Sequence, residues 1–287
     1  MEQKERIGVV GAGLMGREIA LVFALAGYKV LLCDQTESHL AQAMERLGQI
    51  LEKGVGRGFY KEEDVLRALG DIATTTDFGL FADRDFVTEA VFEREDVKAA
   101  VFTKLDAVCR PSCVIATNTS TIPISVLASH VSEARRPNFI GTHYFSPVSR
   151  MKLVEVMPGF ATAPATVDLA MRLCRSVGKT PIAIKDVPGF AVNRLLHVLM
   201  IEAVRLVEEG VATPEDIDTA CKLGLGHPMG PFELMDATTS SLCLQAQEIM
   251  FEAYGERFRP RPLLKQRVRA GLVGGRGKPG WRTPGGN

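Results

Sequence analysis

Residues 7–34 read IGVVGAGLMGREIALVFALAGYKVLLCD, and the fold of the chain turns on this stretch. Ile7, Val9 and Val10 form a short apolar run that stops at Gly11, and Gly11, Gly13 and Gly16 follow at G-x-G-x-x-G spacing. Leu14, Ile19, Val22, Phe23 and Ala26 then recur at intervals of three to five, the spacing of a helix, which Gly27 closes. A second apolar run, 30–33, ends on Asp34. Strand, glycine turn, helix and strand in this order predict a dinucleotide-binding unit. Gly11 makes the tight turn, Gly13 lets a pyrophosphate approach the backbone, and Gly16 lets the helix pack close to its strand. The unpaired N–H groups of the helix start face the phosphates. Asp34 lies 18 residues past Gly16, where a carboxylate accepts hydrogen bonds from an adenosine ribose diol. A plain strand–loop–helix turn would have no need of an acid there.

Composition narrows the class. The 287 residues suit one large domain or two unequal ones, and a 46% hydrophobic share supports a real core. The 34 basic and 34 acidic side chains cancel, so no nucleic acid and no anionic membrane surface is expected as a partner. Six cysteines are scattered without a C-x-x-C pair. They read as buried apolar residues in a reducing compartment, with no metal site and a cytoplasmic location expected. The polar opening MEQKER leads straight into the first strand, unlike a signal peptide, and no apolar window is long enough to span a membrane.

Beyond Asp34, residues 38–51 read as an amphipathic helix carrying Leu40, Met44, Leu47 and Leu51. Residues 52–64, with three glycines and Lys53, Arg57 and Lys61, read as a solvated loop between helices, or as a basic arm that meets a second ligand's phosphates. Strands are expected at 72–76, 85–91, 113–117, 138–145, 153–157 and 182–184, with Glu93 and Lys98 opening a helix after the second of these. Strands alternating with helices predict an α/β fold, a Rossmann-type doubly wound parallel sheet. Asn118, Thr119 and Ser120 follow a buried strand directly, where ligands gather in such sheets; a plain helix N-cap is the alternative. His143 closes one strand, and Glu155 sits in mid-strand on the next, facing either solvent or a partner that needs orienting. From Phe190 only helical spacing remains, with Thr213 as an N-cap before Pro214, to about residue 272. The boundary is placed near Asp186, giving a 1–185 nucleotide-binding domain and a smaller all-α domain over 186–287. The tail from 273 onward is too rich in Gly and Pro to form a core.

Together these residues resemble the L-3-hydroxyacyl-CoA dehydrogenase family, which includes 3-hydroxybutyryl-CoA dehydrogenases. The match is carried by GAGLMG with Asp34, NTS at 118–120, GTHYFSPV around His143, MKLVEV around Glu155, DVPGFAVNR around Asn193, and HPMGPFELMD at 227–236. It spans nearly the whole chain in the same order. The resemblance implies NAD-dependent, reversible oxidation of an L-3-hydroxyacyl-CoA to a 3-oxoacyl-CoA. His143 matches the catalytic histidine, Glu155 the carboxylate that orients it, and Ser120 and Asn193 the two residues that hold the substrate's oxygens. Gly11, Gly13, Leu14, Met15, Gly16 and Asp34 match the cofactor loop, and Glu93, Lys98 and Asn118 match positions near the nicotinamide. Arg57 stands in for the lysine-rich arm that meets the CoA nucleotide. Ser146 replaces an Asn common in relatives, and Trp281 sits where a Phe-Tyr pair is common. The family also implies a homodimer, to which the nearly continuous apolar run at 195–200 conforms.

The chemistry agrees with the residues apart from the name. Oxidising a secondary alcohol needs a base for the hydroxyl proton while hydride leaves carbon. Histidine suits that task near neutral pH. Asp34 repels a 2′-phosphate and Gln35 and Thr36 carry no cation, so NAD is expected over NADP. His39, His130, His197 and His227 have no acidic partner in view and read as structural. Two other readings stay open: a relative that oxidises a free hydroxy acid such as a sugar acid, and a catalytically silent NAD-binding structural protein.

Overall fold

The computed structural model describes residues 4–275 and 277–282. The chain divides between Val187 and Pro188 into two compact units. In the first, β1 (Ile7–Val10), α1 (Leu14–Leu25), β2 (Val30–Cys33), α2 (Glu37–Gly56), α3 (Glu62–Gly70), β3 (Ile72–Thr75) and β4 (Phe86–Glu89) come first. They are followed by α4 (Glu95–Val108), β5 (Val114–Thr117), the short α5 (Ile124–Leu127), β6 (Phe139–Tyr144), β7 (Leu153–Pro158), α6 (Pro164–Ser176) and β8 (Thr180–Ala183). The strands form one sheet in the order β3-β2-β1-β4-β5-β6-β7-β8.

Pairing is parallel from β3 through β6, and β7 then runs antiparallel to β6, with β8 parallel to β7. The parallel sheet expected from the alternation holds from β3 through β6, and the chain turns back between the strands of His143 and Glu155. Only residues 145–152 join β6 to β7, too few for a crossover but enough for a reversal. The strand order turns back at β1, where β2 lies on one side and β4 on the other, so the carboxyl ends of β1 and β4 border a crevice.

α1 is apolar almost all round because, beyond its first turn, it is covered on most sides. Ile19, Leu21 and Phe23 are completely buried, within a core shared by β1, β2, α2 and α3. Each such side chain contributes roughly 1.5–3 kcal/mol of burial. Three local expectations are corrected. The glycines at 54 and 56 do not start a loop: α2 runs to Gly56, and Gly54 leaves room for the ring of Tyr60 packed against it, which a side chain would strike. α3 then follows with Glu62, Glu63 and Asp64 in its first turn and Val65 and Ala68 buried, so a helix pair spans most of the stretch read as a loop. The last strand sits at Thr180–Ala183, two residues earlier than the apolar pattern suggested. α6, unforeseen, begins on Pro164 and buries Ala170, Leu173 and Cys174.

The second unit holds α7 (Val192–Glu208), α8 (Pro214–Gly224), α9 (Pro231–Thr238), α10 (Ser240–Tyr254) and α11 (Pro262–Arg269). Thr213 caps α8 as expected, accepting from the Asp216 N–H. The core is Met200, Val204, Ile217, Phe232, Met235 and Leu264, joined by Trp281. That residue comes from the tail expected to form no core. Its ring packs 4.9 Å from Phe232, its indole N–H donates to Ser240 at 2.9 Å, and Asp236 takes its backbone N–H at 2.8 Å. Composition marked the segment as unable to form a core, but a single anchored aromatic joins one built by others. Among the described residues, no helix is long and apolar enough to cross a membrane. All six cysteines are free and buried.

Candidate functional site

The glycine loop has the geometry its spacing called for. Gly11 has φ +99°, and a side chain there would lie 2.7 Å from the Ala90 carbonyl oxygen. A side chain at Gly16 would run into the Gly11 carbonyl, so this glycine sets the contact between α1 and β1. At Gly13, the N-cap of α1, the space is open. Gly11, Gly13, Leu14, Met15 and Asp34 line a cleft of about 910 Å³. The Asp34 carboxylate accepts from the Ala12 N–H at 2.6 Å and the Gln35 N–H at 2.7 Å. Burial works to raise its pKa, but these bonds and one to His39 outweigh burial and hold it below the usual carboxylate range. A donor-lined open turn facing a fixed anion fits the phosphates and the ribose diol of NAD.

The second cluster forms where β5, β6 and β7 run side by side. His143 on β6 and Glu155 on β7 are direct cross-strand partners. Register alone therefore places both side chains on one face, and Glu155 meets Nδ1 of His143 at 2.9 Å. Glu155 is completely buried and His143 is 5% exposed. An ionised carboxylate only accepts, so it holds the ring proton on Nδ1 and leaves Nε2 as the acceptor. Nε2 lies 3.2 Å from the Ser120 hydroxyl. Phe145 packs beside the imidazole, ring centroids 4.6 Å apart.

Ser120 is fixed by a carboxylate network below it. Glu93 accepts from the Ser120 N–H at 2.8 Å, the Thr121 N–H at 2.9 Å and the Thr119 hydroxyl at 2.6 Å. Burial works against its charge, but Lys98 and these donors keep its pKa below the ordinary value. Lys98 is 1% exposed and reaches Glu93 at 3.3 Å and Glu89 at 2.8 Å. Glu89 also takes the Thr117 hydroxyl at 2.7 Å and the Val91 N–H at 2.7 Å, while burial pushes its carboxyl up. Asn118 accepts from the Tyr144 N–H at 2.9 Å and ties the end of β5 to the end of β6. Glu93 precedes α4 and does not open it, since the helix begins at Glu95.

The first unit thus brings together Ser120, His143, Glu155, Asn118, Glu93 and Lys98. Arg57 is exposed, at the C-cap of α2. Asn193 stands in the first turn of α7, just after Gly189 and Phe190, both at positive φ. Glu89 was missed; an acid inside an apolar strand was its only trace. His39 and His130 were set aside for want of an acidic partner, and both have one. His130 meets Glu95 at 3.0 Å, and His39 Nδ1 meets Asp34 at 2.9 Å. Thr36 caps α2, so His39 falls in its first turn with its side chain tilted back toward Asp34. That cap was legible in the sequence. Among the described residues, no cluster of His, Cys, Asp or Glu could hold a metal ion.

A family model described as 3-hydroxyacyl-CoA dehydrogenase, NAD binding domain, matches residues 6–187, and one described as the C-terminal domain matches 189–283. A probable 3-hydroxybutyryl-CoA dehydrogenase of Deinococcus radiodurans is 40% identical over 273 residues, covering 94% of this chain and 96% of the relative. A mitochondrial hydroxyacyl-coenzyme A dehydrogenase of Sus scrofa is 39% identical, covering 92% and 86%. The solved (S)-3-hydroxybutyryl-CoA dehydrogenase of Ralstonia eutropha is 34% identical and superposes with a TM-score of 0.91, covering 95% of this chain and 96% of that one. The chain belongs to the 3-hydroxyacyl-CoA dehydrogenase family, NAD-dependent oxidoreductases built from a Rossmann-type domain and a helical C-terminal domain.

Proposed function

We propose that His143 is the base in the NAD-dependent oxidation of an L-3-hydroxyacyl-CoA to the 3-oxoacyl-CoA, the dehydrogenation step of fatty acid β-oxidation. The observation that carries this reading is Glu155 on Nδ1 of His143 at 2.9 Å with Ser120 on Nε2 at 3.2 Å. Nε2 takes the hydroxyl proton as the C3 hydrogen departs with its electron pair. The nicotinamide supplies the hydride acceptor. Glu155 then faces an imidazolium and stabilises it, and in the reverse direction the same imidazolium returns the proton to the ketone oxygen. Ser120 holds the reacting oxygen beside Nε2, and Asn193, from the DVPGFAVNR motif, supports the carbonyl. Glu93, Lys98 and Asn118 position the Ser120 loop near the nicotinamide.

Residues 1–185 serve as the NAD-binding domain and 186–287 as the substrate and dimerisation domain. Arg57, on the outer end of α2, meets the phosphates of CoA. The protein works as a homodimer in the cytoplasm, without nucleic acid or membrane. Leu195 and Leu223 support the dimer, since they are 76% and 84% exposed on helices of the second unit. Light scattering at micromolar concentration should give twice 31.2 kDa, and a monomer would overturn the assignment. The substrate is tested by NADH oxidation with 3-oxoacyl-CoA thioesters of increasing length beside a free 3-keto acid. Thioesters should be preferred by at least about 10² in kcat/KM, because the free acid lacks the remote binding energy of CoA. Equal rates would favour the free-acid reading instead.

A further inference from the structure

His39 sits where nothing in the reaction requires a titratable group. It donates through Nδ1 to Asp34, the carboxylate read above as the ribose acceptor, and it lines the same cleft. The imidazole is 57% exposed at its side chain, open to solvent beside the cleft. We propose that His39 is a specificity-determining residue for the adenosine end of the cofactor, making the exclusion of a 2′-phosphate weaker at acid pH than at neutral pH. This rests on the reading of Asp34 as the ribose ligand.

The argument follows from where the proton sits. While Asp34 is ionised it accepts from Nδ1, so a neutral ring turns the lone pair of Nε2 outward. A phosphate on the 2′-oxygen then meets a carboxylate and an acceptor, with no compensating donor. Protonation converts Nε2 into an N–H donor and sets a positive charge against Asp34. The carboxylate's field is offset, and a phosphate oxygen gains a partner. The 2′-hydroxyl of NAD carries no charge and gains little. Binding of the phosphorylated cofactor therefore takes up more protons than binding of NAD, and by linkage the preference for NAD weakens as pH falls. The other charges lining the cleft are Arg17 on α1, Glu45 and Arg46 on α2, and Asp96 and Lys104 on α4. These charges are common to wild type and to the His39 variants, so they set the level of discrimination and cancel when the variants are compared.

The test is the ratio of dissociation constants for NADPH and NADH, measured by calorimetry at pH 5.5 and pH 8.5. The phosphate's own second proton lowers the ratio somewhat at acid pH in every variant, so the comparison is between variants. From pH 8.5 to 5.5 the wild-type ratio should fall about fivefold more than that of His39→Gln, the size of an exposed charge interaction. His39→Lys, with a permanent cation, should accept NADPH more readily at both pH values and follow the shallow slope of His39→Gln. Equal pH dependence in wild type and His39→Gln overturns the proposal. Asp34→Asn separates the two readings. If the ratio collapses in Asp34→Asn while wild type and His39→Gln coincide, only the role of His39 falls. If Asp34→Asn leaves the ratio unchanged, the ribose assignment of Asp34 falls with it.

Discussion

His143 in the first unit and His197 in the second are each 5% exposed, and only one of them has a carboxylate. His143 lies between buried Glu155 at 2.9 Å and the Ser120 hydroxyl at 3.2 Å. His197 lies on α7 against the Cys243 sulfur at 3.8 Å, among Met200 and other apolar groups. Burial alone drives its imidazole down to about 4, so it stays neutral as a core residue. The same side chain at the same depth becomes a base where an ionised neighbour stabilises its charged form, and a piece of packing where none does.

Removing the difference should have the largest effect on turnover. Glu155→Gln gives His143 neutral surroundings like those of His197 and should lower kcat for oxidation by about 10²–10⁴ with NAD affinity nearly unchanged. His143→Ala should be at least as damaging. The double variant should add little beyond the worse single change, as expected for residues that act as a unit. Losses that simply multiply in steady-state assays would show the two working apart.

At His197 the comparison is read as stability. Its folded pKa, about 4, lies below the ~6.5 of an unfolded histidine. Between those values the unfolded chain binds a proton that the folded chain refuses, so stability is complete above pH 6.5 and declines as pH falls toward 4. The loss amounts to about 3 kcal/mol. Urea melts of wild type and His197→Leu across this window should show a steeper decline in the wild type. A parallel decline in both would place its source elsewhere. Turnover of His197→Leu near neutral pH should stay close to wild type.

A smaller effect is expected at Asp34, whose carboxylate neighbours a histidine at a half-open site. Asp34→Ala should weaken NAD by ~1.5–3 kcal/mol, the scale of a lost hydrogen bond to a charged group. The wild type near neutral pH should strongly prefer NAD to NADP in direct titration, and equal affinities would break the assignment.

Legibility followed sequence distance. The β1–α1–β2 stretch was readable because its turn, helix and strands are neighbours in the chain, and each glycine's task is local. His143 and Glu155 were readable through motifs only 12 residues apart, joined by a short reversal. Glu89 and Lys98 were harder: a buried ion pair looks like a stray acid in a strand and a lysine on a helix until tertiary packing removes the water. The packing of Tyr60 against Gly54 of α2 comes from beyond the turn, and composition says nothing of that. Trp281 reached a core 41 residues from Ser240, its hydrogen-bond partner. His39 was within reach, since the Thr36 cap and helical geometry were both in the sequence.

Periodicity, glycine spacing and residue type were enough to determine an α/β nucleotide-binding domain, a helical domain after it, and the candidates for chemistry. These depend on interactions within a few turns or one strand pair, which a linear pattern encodes. The anchoring of Trp281, the pairing of Glu89 with Lys98 and the neutral state of His197 were decided only in three dimensions. Each depends on which distant groups exclude water from a given side chain, and burial of that kind belongs to the packed assembly of elements and to no single stretch of chain.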